Sequence, residues 1–123
     1  MAGAPPRVLL VAPDPELAAL VREALEPEGL VVHRARGADA AAVRVAKYAP
    51  ALVLLDAEHC SLAELGAALG RAGAPGTPVV LLVGPRPPTL AGRVRLVGTV
   101  QKPFALAELQ GAVLQALAHA TAD

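Results

Sequence analysis

Short apolar runs alternate with helix-like segments along this chain, and this alternation limits its possible folds more than any other feature. Five runs rich in Val and Leu have the length of strands, which predicts strands at residues 8–11, 30–33, 51–55, 79–83 and 99–101. Strands that alternate with helices form a parallel sheet with helices on both faces, and burial on both faces accounts for strands with few polar residues. The chain is therefore predicted to be an α/β protein.

Capping signals and apolar spacing predict the helices between these strands. Asp14, just before a proline, is an N-cap that opens a helix ended by Gly29. A second helix covers residues 38–48, and a third follows the capping box Ser61–Glu64. The last helix has an apolar stripe formed by Leu106, Leu109, Val113, Leu114 and Leu117.

The segment between the fourth and fifth strands lacks the pattern of a helix. Pro85, Pro87 and Pro88 each remove a backbone donor and fix φ, so a fourth helix must be short or absent between residues 89 and 96. The predicted fold is a flavodoxin-like, doubly wound, five-stranded parallel sheet of order 2-1-3-4-5 with a degraded fourth helix. One domain is expected over residues 1–123, with its core at about 7–118.

Composition and charge exclude several classes of protein. Hydrophobic residues make up 54% of the chain and the mean hydropathy is +0.50, but no apolar run approaches the roughly 20 residues of a membrane helix. The first residues lack the apolar core of a signal peptide, so we expect a cytoplasmic protein without membrane insertion. Basic and acidic residues cancel, and Tyr48 and Phe104 are the only aromatic residues, which argues against nucleic-acid binding.

The crevice of a doubly wound sheet lies at the carboxyl ends of its strands, where Ala12-Pro13-Asp14, Asp56, Val83-Gly84 and Lys102 should converge. An aspartate that ends strand three and Lys102-Pro103-Phe104 after strand five resemble the receiver domain of two-component response regulators. The resemblance in fold extends over nearly the whole chain. It implies that Asp56 corresponds to the phosphoryl acceptor, that Lys102 contacts the phosphoryl group, and that the peptide bond before Pro103 is cis.

Other parts of the receiver site are missing from this sequence. The acidic pair that binds Mg²⁺ in the family corresponds to Ala12 and Pro13, whose side chains cannot bind a metal. Val83 stands where a hydroxyl would hold the phosphoryl group, and Thr99 stands where an aromatic residue would change position. The remaining aspartate and lysine have no net charge to attract a divalent ion. We therefore predict neither a bound metal nor a cofactor.

Asp14 and Glu58 are the residues that could replace the lost metal ligands. The proline after Asp14 favours it as a helix N-cap, and for Glu58 a solvent-facing position in a loop is favoured. For Asp56 and Lys102, a mutual salt bridge that holds two strand ends together is favoured over a catalytic role.

The sequence gives little support to an enzymatic role. His59 and Cys60 are adjacent, and neighbouring side chains seldom face each other as a nucleophile and its base, so a cysteine hydrolase is disfavoured. No Gly-rich phosphate-binding loop follows strand one. We therefore expect a protein that is not an enzyme.

The expected function is that of an atypical receiver-like signalling module, a pseudo-receiver, that acts through protein–protein interaction without Mg²⁺-dependent phosphorylation. The alternative is a functional receiver phosphorylated on Asp56 in a phosphorelay. In either case the expected partner is a signalling protein, a histidine kinase or a downstream effector, and homodimer formation stays open. No output domain is visible, so the chain is expected either to act alone or to belong to a longer protein.

Overall fold

The computed structural model describes residues 4–90 and 92–122, which form five strands and four α-helices. All the strands run parallel, in the sheet order β2-β1-β3-β4-β5, which confirms the predicted fold class. In chain order the elements are β1 Arg7–Val11, α1 Pro15–Leu25, a 3-10 turn Glu26–Glu28, β2 Val31–Ala35, α2 Ala38–Tyr48, β3 Leu52–Asp56, α3 Leu62–Arg71, β4 Pro78–Val83, β5 Arg95–Gln101 and α4 Leu106–Ala122.

The helices begin where their caps predict. The side chains of Asp14 and Ser61 each accept a hydrogen bond from a backbone N–H in the first turn of their helix, at 2.9 and 3.2 Å. α1 ends earlier than predicted, at Leu25, since Pro27 has no N–H to continue the helix, and a 3-10 turn leads to Gly29 at φ +83°. Within the described residues, no helix has the length and apolar character required to cross a membrane.

Two hydrophobic clusters, one on each face of the sheet, form the core. Alternate residues of the central strands enter opposite clusters: Leu10 packs with α1 and α4, and Leu9 packs with α2 and α3. These strands are buried on both faces, which explains their continuous apolar sequence. Leu114, predicted to belong to the buried stripe of the last helix, is instead 40% exposed, and Ala116 is buried beside Leu117 on the face that meets the sheet.

β5 is longer than the predicted 99–101 and begins at Arg95. It forms one edge of the sheet, and most of its residues are exposed or half-buried. A register shift opposite Val79 and Val80 also interrupts its alternation. An edge strand is not buried on both faces, and Arg95 and Gly98 flank the two apolar residues of its first half, so that half lacks the continuous apolar run of the central strands.

A coil replaces the helix between β4 and β5, as the prolines predict. This β4–β5 coil, described at residues 84–90 and 92–94, lies against α3, where Arg93 is near Gly66 and Gly92 is near Ala63. A Cβ added to Gly92 would stand 2.8 Å from the Cα of Ala63, so the two backbones are in close contact. Leu90 in the coil and Leu96 in β5 are 65% and 41% exposed. The missing helix therefore leaves apolar surface open beside the edge of the sheet.

The variant Gly92→Ala should destabilise the fold, because alanine is strained at φ +114° and its methyl group would meet the backbone of α3. We expect the free energy of unfolding to fall by about 2 kcal/mol or more, measured by urea denaturation followed by circular dichroism. Gly76→Ala is the matched control, since open space surrounds Gly76. Equal stability of the two variants would contradict the close packing of the coil on α3.

Candidate functional site

Asp56 is the last residue of β3 and the only buried polar or charged residue in the described part of the chain, with 0% exposure. It pairs in register with Leu82 of β4, so it stands at the carboxyl edge in the middle of the sheet. Its carbonyl oxygen accepts hydrogen bonds from the N–H groups of His59 (3.2 Å) and Cys60 (2.9 Å). A tight turn therefore folds back directly over the end of β3.

Lys102 brings the opposing charge to this edge. It follows β5, and its backbone N–H donates to the carbonyl oxygen of Val83 at the end of β4 (2.8 Å). Its ammonium nitrogen Nζ lies 2.9 Å from Oδ1 of Asp56, and 22% of its side chain is exposed. The predicted contact between Asp56 and Lys102 is confirmed, and the peptide bond before Pro103 is cis, as the resemblance implies.

Glu58 also enters this site, which the sequence did not favour. Its carboxylate oxygen Oε1 lies 3.0 Å from Nζ of Lys102, and its backbone N–H donates to Oδ1 of Asp56 (3.2 Å). Its side chain lies over Gly84, where any added Cβ would collide with it. Glu58 keeps the exposed loop position that the sequence favoured, and the turn after Asp56 also directs its carboxylate back toward the lysine.

The three side chains form an ion cluster with a formal charge of −1, since two carboxylates contact one ammonium. Burial by itself would lower the pKa of Lys102, but hydrogen bonds to Asp56 and Glu58 outweigh it and raise the pKa above its usual value. The lysine therefore stays protonated at neutral pH. Oδ2 of Asp56 is buried and has no hydrogen-bond partner among the described residues. We call this group the Asp56–Glu58–Lys102 cluster.

The side chain of Arg34, a residue of β2, reaches the loop after β1, where the resemblance puts the acidic pair. Its guanidinium donates to the carbonyl oxygens of Ala12 (3.2 Å) and Pro13 (2.6 Å). Sequence reasoning missed this residue; the available signal was a charged residue near the end of β2, in the strand next to β1. Asp14 is exposed and caps α1, as favoured, so its carboxylate is engaged at the helix N-terminus.

These residues do not fit a Mg²⁺ ion. Mg²⁺ requires oxygen ligands in a near-octahedral arrangement, and the side chains of Ala12 and Pro13 supply none. Their carbonyl oxygens already accept from the guanidinium of Arg34, whose charge also repels a cation. In residues 4–90 and 92–122, no group of three or more His, Cys, Asp or Glu side chains is arranged to hold a metal.

Val83 and Thr99 lie in the strands where the resemblance puts the hydroxyl and the switching aromatic residue. The Val83 side chain packs with the hydrophobic cluster on the α3 face, and its carbonyl oxygen contacts Lys102. Thr99 is exposed on β5, opposite Leu81. The site thus has no hydroxyl at the end of β4 and no aromatic ring at position 99.

Cys60 lacks the surroundings of a nucleophile. Burial raises the pKa of its thiol, and the charges of Asp56 and Glu64 raise it further against a smaller opposing effect of Lys102. His59 is exposed, and no hydrogen bond joins it to Cys60 in the described part of the chain. The thiol therefore stays protonated at neutral pH, which weakens the cysteine-hydrolase interpretation.

Comparisons with known proteins identify similar folds. The sequence matches no family model and no curated protein. The signal receiver domain of an HD domain-containing protein from Pseudomonas fluorescens Pf-5 is 25% identical, with 99% of this chain and 93% of that chain covered and a TM-score of 0.81. The N-terminal domain of a response regulator/sensory box/GGDEF three-domain protein from Carboxydothermus hydrogenoformans is 24% identical. The match covers 94% of this chain and 97% of that chain, with a TM-score of 0.79.

A third solved structure, the receiver domain of the Francisella response regulator 1452, is 18% identical. The match covers 93% of this chain and 98% of that chain, with a TM-score of 0.71. The chain therefore has the fold of response regulator receiver domains, as its sequence predicted. These similarities support a receiver-type signalling module.

The variant Lys102→Met should strongly destabilise the protein, because it leaves the buried carboxylate of Asp56 without a cation. We expect a loss of about 2 to 4 kcal/mol in the free energy of unfolding, measured by urea denaturation. Lys47→Met is the control, since the Lys47 ammonium contacts only the ring of Tyr48 among the described side chains and that residue is exposed.

The double variant Lys102→Met with Asp56→Leu removes both charges of the ion pair, including the buried carboxylate, and should recover most of the lost stability. If Lys102→Met unfolds at the same urea concentration as Lys47→Met, the ion pair does not stabilise the strand ends.

Proposed function

We propose that this chain is a receiver-type signalling module that acts through protein–protein interaction and does not depend on Mg²⁺-assisted phosphorylation of Asp56. The observation that carries the proposal is the closure of the pocket: Asp56 is wholly buried, and Lys102, which contacts it, also contacts the carboxylate of Glu58. A phosphoryl donor must approach the accepting oxygen in line, and burial of both oxygens opposes that approach.

The loss of the metal ligands supports the same proposal. Phosphoryl transfer depends on charges placed to stabilise the transferring group, and a divalent ion supplies much of that charge. Here Ala12 and Pro13 provide no carboxylate, and Arg34 binds the loop instead. The valine at position 83 removes a further hydrogen-bond donor. Each of these changes weakens transition-state stabilisation, typically by about 100-fold or more for a single donor or charge.

We propose a cytoplasmic signalling protein, a histidine kinase or a downstream effector, as the partner of this module. The β4–β5 coil and the exposed part of β5 are the preferred contact surface, since Leu90 and Leu96 expose apolar area there. Thr99 offers no ring that could change position with the state of the pocket. Such a surface keeps one conformation, so partner binding is independent of phosphorylation.

The second candidate function is that of an ordinary receiver phosphorylated on Asp56. Two observations favour it: Asp56 and Lys102 keep the contact that the resemblance implies, and Oδ2 of Asp56 has no hydrogen-bond partner in the described residues. In this candidate Glu58 would leave Lys102 before a phosphoryl group reached the aspartate.

Treatment with acetyl phosphate separates these two functions. With Mg²⁺ present, we expect the intact mass to show almost no adduct of one phosphoryl group, because the pocket is closed and lacks the metal ligands. Amide chemical shifts around Asp56 should also stay unchanged as Mg²⁺ is added. The control is Asp56→Asn, in which any adduct that remains comes from another residue.

Stoichiometric labelling that requires Mg²⁺ and disappears in Asp56→Asn would overturn the proposal and establish the second candidate.

A further inference from the structure

We infer that Glu58 is an internal anion: its carboxylate takes the position on Lys102 that a phosphoryl oxygen would take, and it thereby holds the β4–β5 coil in one conformation. This inference rests on the proposed function, because it explains what replaces phosphorylation in this pocket. It concerns the Asp56–Glu58–Lys102 cluster and one neighbouring residue, Gly84.

The Lys102 ammonium is occupied by two carboxylates. Nζ lies 2.9 Å from Asp56 and 3.0 Å from Glu58, so two of its three N–H donors are directed at protein oxygens. An external anion that took the position of Glu58 would have to displace its carboxylate, and one that used the third donor would meet a cluster whose formal charge is already −1. Glu58 therefore competes with a phosphoryl group for the same cation.

Gly84 provides the space in which Glu58 lies. A Cβ at this position would collide with the side-chain carbons and carboxylate of Glu58, so every other residue would displace the carboxylate. The backbone at Gly84 does not itself require glycine, since the positive φ values in the described residues belong to other positions. The glycine is thus explained by its contact with Glu58 and not by its own conformation.

The turn after β3 holds Glu58 in place before it contacts the lysine. Its N–H donates to Oδ1 of Asp56, and the carbonyl of Asp56 accepts from the next two N–H groups. A side chain on a backbone that is already ordered loses less conformational freedom when it binds than a free anion does. The chain therefore presents its own carboxylate to Lys102 at little entropic cost.

The same contact connects the pocket to the β4–β5 coil. Gly84 is the first residue of that coil, directly after Val83, whose carbonyl oxygen accepts from the backbone N–H of Lys102. Glu58 packs against this junction from the pocket side. A change in the position of its carboxylate would therefore be felt first where the coil leaves β4, and the coil includes the exposed Leu90.

Two variants test this inference by independent routes. Glu58→Gln removes the negative charge and keeps the size of the side chain. Gly84→Ala keeps all three charges and displaces the carboxylate by steric conflict. Gly76→Ala is the control for adding a methyl group to a loop glycine, because no heavy atom lies within 4 Å of the Cβ position.

Nuclear magnetic resonance of the Lys102 side chain gives the first measurement. In the wild type its pKa is raised, and loss of the Glu58 contact should lower it in both Glu58→Gln and Gly84→Ala and leave it unchanged in Gly76→Ala. The amide shifts of the β4–β5 coil should move in both variants. Inorganic phosphate, added as a probe, should perturb Lys102 in Glu58→Gln at concentrations about tenfold lower than in the wild type.

An unchanged Lys102 pKa in Glu58→Gln, or unmoved coil resonances in Gly84→Ala, would overturn the inference. Equal phosphate binding by the wild type and Glu58→Gln would also overturn it. These outcomes are distinct from failure of the proposed function, which shows itself as Mg²⁺-dependent labelling of wild-type Asp56 by acetyl phosphate. Should Gly84→Ala unfold, Glu58→Gln and the shorter carboxylate of Glu58→Asp supply the same comparison without a new backbone contact.

Discussion

The buried carboxylate of Asp56 is the constraint on which the carboxyl edge of this sheet depends. A charge that is removed from water is costly unless it is paired, so a cation must reach the end of β3. Lys102 can do so because its backbone is bound to Val83 at the end of β4. One ion pair therefore connects the turn after β3, the end of β4 and the segment after β5, and it fixes where the following loops begin.

The negative charge of carboxylates at such an edge can be balanced in two ways: by a bound divalent ion, or by fewer carboxylates with cationic side chains beside them. A site with several carboxylates needs a divalent ion, since like charges at short distance repel one another. This chain instead has few carboxylates and more cations: Ala12 and Pro13 are neutral, Arg34 binds their carbonyl oxygens, and Lys102 contacts both acids that remain. The changes are consistent with one another, because without the acidic pair the Asp56–Glu58–Lys102 cluster has a formal charge of only −1, and the guanidinium of Arg34 lies at the neighbouring loop.

The parts of this structure that could be predicted from sequence are those that depend on backbone pattern. Apolar runs revealed the strands, and strand order then brought Asp56 and Lys102 together although 46 residues separate them. Arg34 could not be predicted in this way, and Glu58 was named only as a possible metal ligand and not as a partner of Lys102. Both depend on the direction in which a long side chain turns, and neighbours from other elements decide that direction. Gly84 likewise looks like an ordinary loop glycine until Glu58 is placed above it.

A carboxylate that belongs to the chain differs from a phosphoryl group in one physical respect: it is always present. A ligand joined by a short linker has an effective concentration of about millimolar or more, whatever the solution contains. Glu58 is two residues from Asp56, and the intervening turn is ordered, so its effective concentration at Lys102 lies at the upper end of that scale. An acyl phosphate is made and hydrolysed, whereas this contact persists. If Glu58 fills the site, the signal must therefore depend on the availability of the partner protein and not on whether Asp56 is phosphorylated.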